Sequence, residues 1–501
     1  MLLLFGVIFL LLFLLDYIRK NYYYRFSRSI PSIPGSYPIL GNALLLLGKS
    51  EQQRFENFKF VFSHTKRLSK TWLGPQLVVC VAHPDLVQKI LKEPSCCEKP
   101  FFYDFINLEH GLFAAKYKVW KPYRKVLNPT FNTKVLHSFI PIFQKCSQKM
   151  VLRMGLGQSA RQMPVDVLEF ALECTLEMVC ATTLGTDVFR REGKDNFLRC
   201  LRKLFGLLAT RVLSAEIYSD VIYRLTRGYR EEQRCRRVCH DFTYKIIQER
   251  KITLANNPPT KDSEDGFETR TPRIFIDQVL SMGDDEAKLS DQILFEQILT
   301  IIAAGYDTTA QMIAHTCLFL AMLPEVQEKL HKEIVTKIPN ENDQSDPEIL
   351  KSLPYLEKVI RESLRLAPVG PIIARVNLAD IELDEHKIPK GNLFVFNFYD
   401  LHRRPDIWGP NADQFDPENF TPERIQQRHP FGYLPFSGGS RNCIGERYAM
   451  FSTKLMLIAI VRNFQLSTDI EYSDLKYLLD ITLNLAFKHM IRLNPRAHRM
   501  E

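Results

Sequence analysis

The 501-residue sequence has no fixed-period internal repeat, which excludes a solenoid or a propeller. It also lacks a cysteine framework. Eleven cysteines stand at 80, 96, 97, 146, 174, 180, 200, 235, 239, 317 and 443, an odd number at irregular spacing. That excludes a disulfide-built secreted scaffold and points to a reducing compartment. Cys235-x-x-x-Cys239-His240 has no second ligand pair nearby and lies among Arg234, Arg236 and Arg237, so it reads as a solvated helix face rather than a metal cluster. No basic stripe interleaved with aromatics runs through the chain, and the formal net charge of +9 is moderate. Nucleic acid is therefore not an expected partner, whereas a membrane surface or an acidic protein is.

Hydrophobic content of 46% and charged content of 25% are ordinary globular values, enough for a large core. Residues 1–15 are apolar throughout, Asp16 interrupts, and Tyr17 and Ile18 follow. With no basic n-region and no small-residue cleavage site, the run is not a removed signal peptide. It predicts a single-pass transmembrane signal-anchor over residues 1–18, near the lower length limit. Arg19, Lys20, Arg25 and Arg28 follow it and place the rest of the chain in the cytosol. Tyr22, Tyr23 and Tyr24 suit lipid headgroups, and Pro31, Pro34 and Pro38 predict a stiff, extended linker within residues 19–45. Residues 46–501 then form one catalytic domain. On this topology the glycosylation triplet Asn419-Phe-Thr421 stays unmodified.

Most of that domain reads as helix with small sheets. A strand hairpin is expected over 72–82, a surface loop over 252–272, and short strands around 376–397 and 478–492. The longest helical pattern runs from Asp291 to Met322, capped by Ser290 and ended by Pro324. Its middle reads Ala304-Gly305-Tyr306-Asp307-Thr308-Thr309. Ala304 and Thr308, four apart, share a face, and a threonine hydroxyl there can bond the carbonyl four residues back.

The most informative stretch is Phe436-Ser-Gly-Gly-Ser-Arg441-Asn-Cys443-Ile-Gly445. It sets a cysteine in a glycine-lined turn just before an apolar helical run. Unpaired backbone N–H groups and the positive helix end keep such a sulfur anionic. The glycines let the backbone approach a flat ligand. Phe436 offers a shield and Arg441 a cation for a carboxylate. Those parts suit the axial thiolate of a haem iron, a donor that favours O–O cleavage.

The decapeptide resembles the cytochrome P450 signature Phe-x-x-Gly-x-Arg-x-Cys-x-Gly, matched at Phe436, Gly439, Arg441, Cys443 and Gly445. The resemblance implies the P450 fold, mainly α with small β-sheets, over roughly residues 30–495. It implies haem b with Cys443 as the metal ligand, and Ala304 and Gly305 beside the cofactor. It further implies Thr308 bonded to dioxygen and Asp307 feeding protons through water, so that O–O cleavage releases water. Trp120, Arg124, Arg375 and Arg441 become propionate contacts. Glu362 and Arg365 match the family's Glu-x-x-Arg lock, with Asn419 at the third corner where the family usually has arginine, a locally weaker lock.

Residues 354–368 and 431–445 look most like family 4 and its insect relatives, which hydroxylate fatty acids near the chain end. Many members carry a glutamate that esterifies a haem methyl. Here that position is Ala304, so the haem is expected to be noncovalent. Apolar clusters at Phe101, Phe102, Phe105, Ile106 and Phe113, and at Leu204, Phe205, Leu207 and Leu208, are candidate walls for a lipophilic substrate. The expected partners are NADPH–cytochrome P450 reductase, met by a basic face that includes Lys116, Lys118, Lys121, Lys125, Arg428 and Arg447, together with dioxygen and membrane lipid. The expected place is the endoplasmic reticulum membrane. Two alternatives to a monooxygenase are a redox-neutral haem-thiolate isomerase or dehydratase and a non-enzymatic haem-binding membrane protein.

Overall fold

In a computed structural model the described residues are 2–47, 49–159, 163–214, 217–256, 274–281, 289–340 and 347–496. They fall into two compact units. The first comprises Met1–Phe101, Arg365–Cys443 and Lys476–Asn484, and the second Phe102–Leu364, Ile444–Leu475 and Leu485–Glu501.

The first unit is built on a four-stranded sheet, in the order Leu68–Leu73, Gln76–Val81, Leu393–Asn397, Ile372–Val376. Its hairpin turns at Gly74 (φ +57°), and Leu68 sits opposite Val81. The hairpin begins four residues earlier than the expected 72–82. Ser69 and Thr71 are polar yet buried, and Ser69 Oγ lies 2.6 Å from Thr65 Oγ1. Gln76–Val81 pairs in parallel with Leu393–Asn397, a central strand buried at every position. Helix Pro84–Lys92 covers this sheet with Leu86, Val87, Ile90 and Leu91. The proline segment is bonded to the sheet edge: Lys70 N–H donates to Pro31 O at 2.7 Å, Ile33 N–H donates to Lys70 O at 3.0 Å, and Ile30 and Ile33 are buried.

The second unit is helical. Helix Asp291–Met322 has the expected bounds, with the Ser290 hydroxyl accepting from Ile293 N–H. At 1.5 Å per residue it is about 48 Å long. It is buried along most of its length beside helix Val167–Leu184, whose Thr175 hydroxyl donates to Tyr306 O at 2.8 Å. Helices Lys194–Leu213 and Arg227–Asn256 share its apolar core. Helix Ile140–Ser159 meets Glu446–Asn463, with Phe143 and Tyr448 in edge contact at 4.9 Å. A small sheet, Val165–Asp166, Met490–Pro495 and Phe464–Ser467, completes the unit. Of the expected loop over 252–272, residues 252–256 end helix Arg227–Asn256 and the rest lie outside the described residues.

Helix Leu2–Ile18 forms over the apolar N-terminus but has only 17 residues, about 26 Å against a hydrocarbon layer of about 30 Å. Among the described residues no helix is long and apolar enough to cross a membrane. The expected transmembrane span over residues 1–18 is therefore not supported.

Candidate functional site

Of the eleven cysteines, ten are buried and Cys443 alone is exposed. Burial pushes the thiols of Cys80, Cys96, Cys146, Cys180 and Cys317 up to about 12 and holds them protonated. Cys443 is presented by a loop that closes on itself: its N–H donates to Phe436 O at 2.9 Å, Asn442 N–H to Gly439 O at 3.2 Å, and Ser437 N–H to Leu434 O at 3.0 Å. Gly439 has φ +71°, and a Cβ there would lie 1.8 Å from Leu91 O. Only glycine lets the loop seat on the end of helix Pro84–Lys92. Helix Glu446–Asn463 begins three residues after the cysteine, with Gly445 as its N-cap.

Three cations of the same unit are buried around this loop: Lys99, Arg375 and Arg441. The Arg441 Nε–H donates to Cys97 O at 3.0 Å, and Arg375 Nη1 donates to Ala374 O at 2.9 Å. Burial, followed by repulsion from Arg375 and Arg441, holds the Lys99 ammonium well below its ordinary range. A buried group of like charges is stabilised by anions brought among them. Arg375 and Arg441 were legible in sequence. Lys99 was not, because nothing in Glu98-Lys99-Pro100 shows that a lysine is buried.

In the second unit, residues 303–308 of the long helix are only partly buried apart from the buried Tyr306, and Ala304 is exposed there. The Thr308 hydroxyl donates to Ala304 O. A Cβ at Gly305 would lie 2.9 Å from Val179 Cγ2, so the missing side chain lets two helices close on each other. Trp120 is buried and stacks on Tyr117 at 6.1 Å, and Arg124 Nε–H donates to Asn128 Oδ1 at 2.8 Å. Of the candidate apolar walls, Phe105 meets Tyr218 at 4.7 Å and the Arg211 guanidinium at 4.9 Å.

Glu362 and Arg365 are fully buried. Arg365 donates to three carbonyls, His402 (3.0 Å), Gln414 (2.8 Å) and Ala412. The buried Asn419 accepts from Arg424 Nη1 at its Oδ1 (3.1 Å), and its carbonyl accepts from Arg428. The Arg428 guanidinium lies 4.0 Å from the Trp408 ring centre, and that of Arg365 lies 4.9 Å from the same ring. Two stacked cations thus share one indole. The Arg428 guanidinium, expected on a docking face, also packs on Trp408 and Phe420 and donates to backbone carbonyls. Cys235 and Cys239 are a correction. They face the core of the second unit, not solvent. Their spacing continues through the buried Thr243, Ile246 and Ile247, a helical core stripe that the flanking arginines masked. Among the described residues no group of three or more His, Cys, Asp or Glu is placed to hold a metal ion.

An exposed sulfur on a glycine cradle and buried cations beside it fit a flat metal cofactor edged with carboxylates. The sequence profile described as Cytochrome P450 matches residues 31–481 of this chain. Cytochrome P450 4c21 of Blattella germanica is 31% identical over 481 residues, which span 95% of this chain and 95% of that protein. Cytochrome P450 4V2 of Homo sapiens is 31% identical over 465 residues, 91% of this chain and 87% of that protein. Cytochrome P450 4c3 of Drosophila melanogaster is 28% identical over 505 residues, 97% and 93% of the two chains. The chain belongs to the cytochrome P450 family and is a haem-thiolate monooxygenase.

Proposed function

We propose that this cytochrome P450 holds noncovalent haem b through the Cys443 sulfur and oxygenates a lipophilic molecule: a fatty acid, another endogenous lipid or a xenobiotic. When bound, the haem supplies reductive activation of dioxygen, and a thiolate donor favours O–O cleavage. The chain's own residues supply the rest. Arg441 and Arg375 bind the propionates, and Lys99 joins them. Trp120 and Arg124 are further donors to the cofactor. Phe436 shields the sulfur, and Gly439 and Gly445 shape the loop around it. Thr308 holds a proton at its hydroxyl, and Asp307 replenishes it through water. Glu362 and Arg365 stabilise the backbone that leads to the loop, with Asn419 as part of that support.

The single observation that carries this reading is the exposure of Cys443 beside three buried cations. Electrons come from NADPH by way of NADPH–cytochrome P450 reductase. Lys118, Lys121 and Lys125 are exposed on helix Tyr117–Leu127 and steer an acidic partner. The apolar side chains exposed along helix Leu2–Ile18, followed by exposed Tyr22 and Tyr23, hold the protein at the endoplasmic reticulum membrane, with residues 46–501 as the catalytic part in the cytosol.

Turnover tests the reading. The full chain is mixed with reductase, NADPH and a lipophilic library that includes long-chain fatty acids. We expect at least one product carrying one added oxygen atom, formed with matched NADPH consumption. A library that yields no oxygenated product and no ligand-dependent NADPH use would contradict it.

A further inference from the structure

His402 has no exposed surface and sits between Arg365 and the cysteine loop. Its carbonyl accepts from Arg365 Nη1 at 3.0 Å. Its Nε2 accepts from the backbone N–H of Leu434 at 2.8 Å. Leu434 O in turn accepts from Ser437 N–H at 3.0 Å, and Phe436 O accepts from Cys443 N–H at 2.9 Å. The ring lies parallel to Phe398 (9°, centres 6.2 Å apart) and 5.3 Å from Tyr433, which fixes its plane. An Nε2 that accepts carries no proton, so the imidazole is the neutral Nδ1–H tautomer.

We propose that His402 is a positioning residue for the cysteine loop: it transmits the grip of Arg365 to the Leu434 amide and so fixes where Phe436 and Cys443 stand. The inference rests on Cys443 being the thiolate ligand. A buried N–H finds a partner or pays the desolvation of going without one. No apolar side chain can replace the Nε2 lone pair, whereas the Oε1 of glutamine reaches the same place. The asparagine amide stands nearer Nδ1 and stops short of Leu434.

The test uses the holoprotein and its His402→Gln, His402→Asn and His402→Phe variants, with two readouts. One is amide hydrogen exchange at Leu434. The other is the rate at which the thiolate-type band of the reduced carbon monoxide complex decays to the thiol type. Gln is expected to stay close to wild type in both. Asn and Phe are expected to speed exchange and decay by roughly tenfold or more, the scale of one buried hydrogen bond. Equal behaviour of Gln and Asn, or a Phe variant indistinguishable from wild type, overturns the proposal. If Phe fails to fold, the Gln–Asn contrast decides alone. The two failures are separable. A wild-type protein with no thiolate band refutes the Cys443 reading, and a thiolate band indifferent to position 402 refutes the role of His402.

Discussion

At position 443 a sulfur is exposed where ten other thiols are buried, and a glycine four residues earlier makes that possible. Gly439 combines φ +71° with a Cβ position 1.8 Å from Leu91 O. Gly439→Ala therefore costs left-handed strain and a backbone clash together, roughly 3 kcal/mol or more. Thermal unfolding of the holoprotein should fall sharply, with haem released earlier on heating. An unchanged midpoint would mean that the loop does not seat on helix Pro84–Lys92. The glycine-rich loop and its cysteine were legible in sequence as a motif, but its glycines were read as room for a flat ligand, and the approach of Gly439 to the Leu91 carbonyl was not foreseen. Lys99 and His402 were not legible. A lysine or histidine enters a site of this kind by tertiary burial, and no local pattern marks that. Trp408, shared by Arg365 and Arg428, was hidden for the same reason.

The long helix shows the same divide at the scale of an element. Its ends were legible, since a serine cap and a following proline are local chemistry. What packs against its middle was not. Gly305→Ala sets a helix-propensity gain of about 1 kcal/mol against overpacking on Val179, typically about 1–3 kcal/mol. Val179 is buried and branched, so the clash should win, with a net loss of about 1 kcal/mol. Val179→Ala in the same chain should recover it, and a stabilised Gly305→Ala would contradict the packing. The helix also carries His315, whose ring lies 5.0 Å from that of His489. Burial pushes His315 from 6.5 down to about 4, and burial followed by repulsion from His315 holds His489 well below its ordinary range. Between these limits the unfolded chain takes up protons that the folded imidazoles refuse. Stability is therefore full above pH 6.5 and falls as the pH drops toward about 4. Thermal midpoints between pH 7 and pH 4.5 should drop less steeply for His315→Leu than for wild type. Equal slopes would mean that the pair does not resist protonation.

Over the whole molecule, the helix-rich plan with small sheets was legible from composition and periodicity, because both describe cores. The N-terminus was read less well. An apolar run predicts a helix, and helix Leu2–Ile18 forms, but among the described residues no helix is long and apolar enough to cross a membrane. The proline segment expected as a spacer is bonded to the sheet edge through Lys70, a pairing of residues about forty apart in sequence that no local pattern shows. Ala304 offers no carboxylate for an ester to the cofactor, so acidic organic solvent should extract all of the haem. Pigment left on the chain would show a covalent link. The central claim, that the Cys443 sulfur is the haem ligand, is tested most directly by the difference spectrum of the reduced protein under carbon monoxide. Wild type should show the red-shifted Soret band of a thiolate-bound haem, and Cys443→Ser should lose it. A histidine-type band in wild type, or a band unchanged by the serine substitution, would contradict the account.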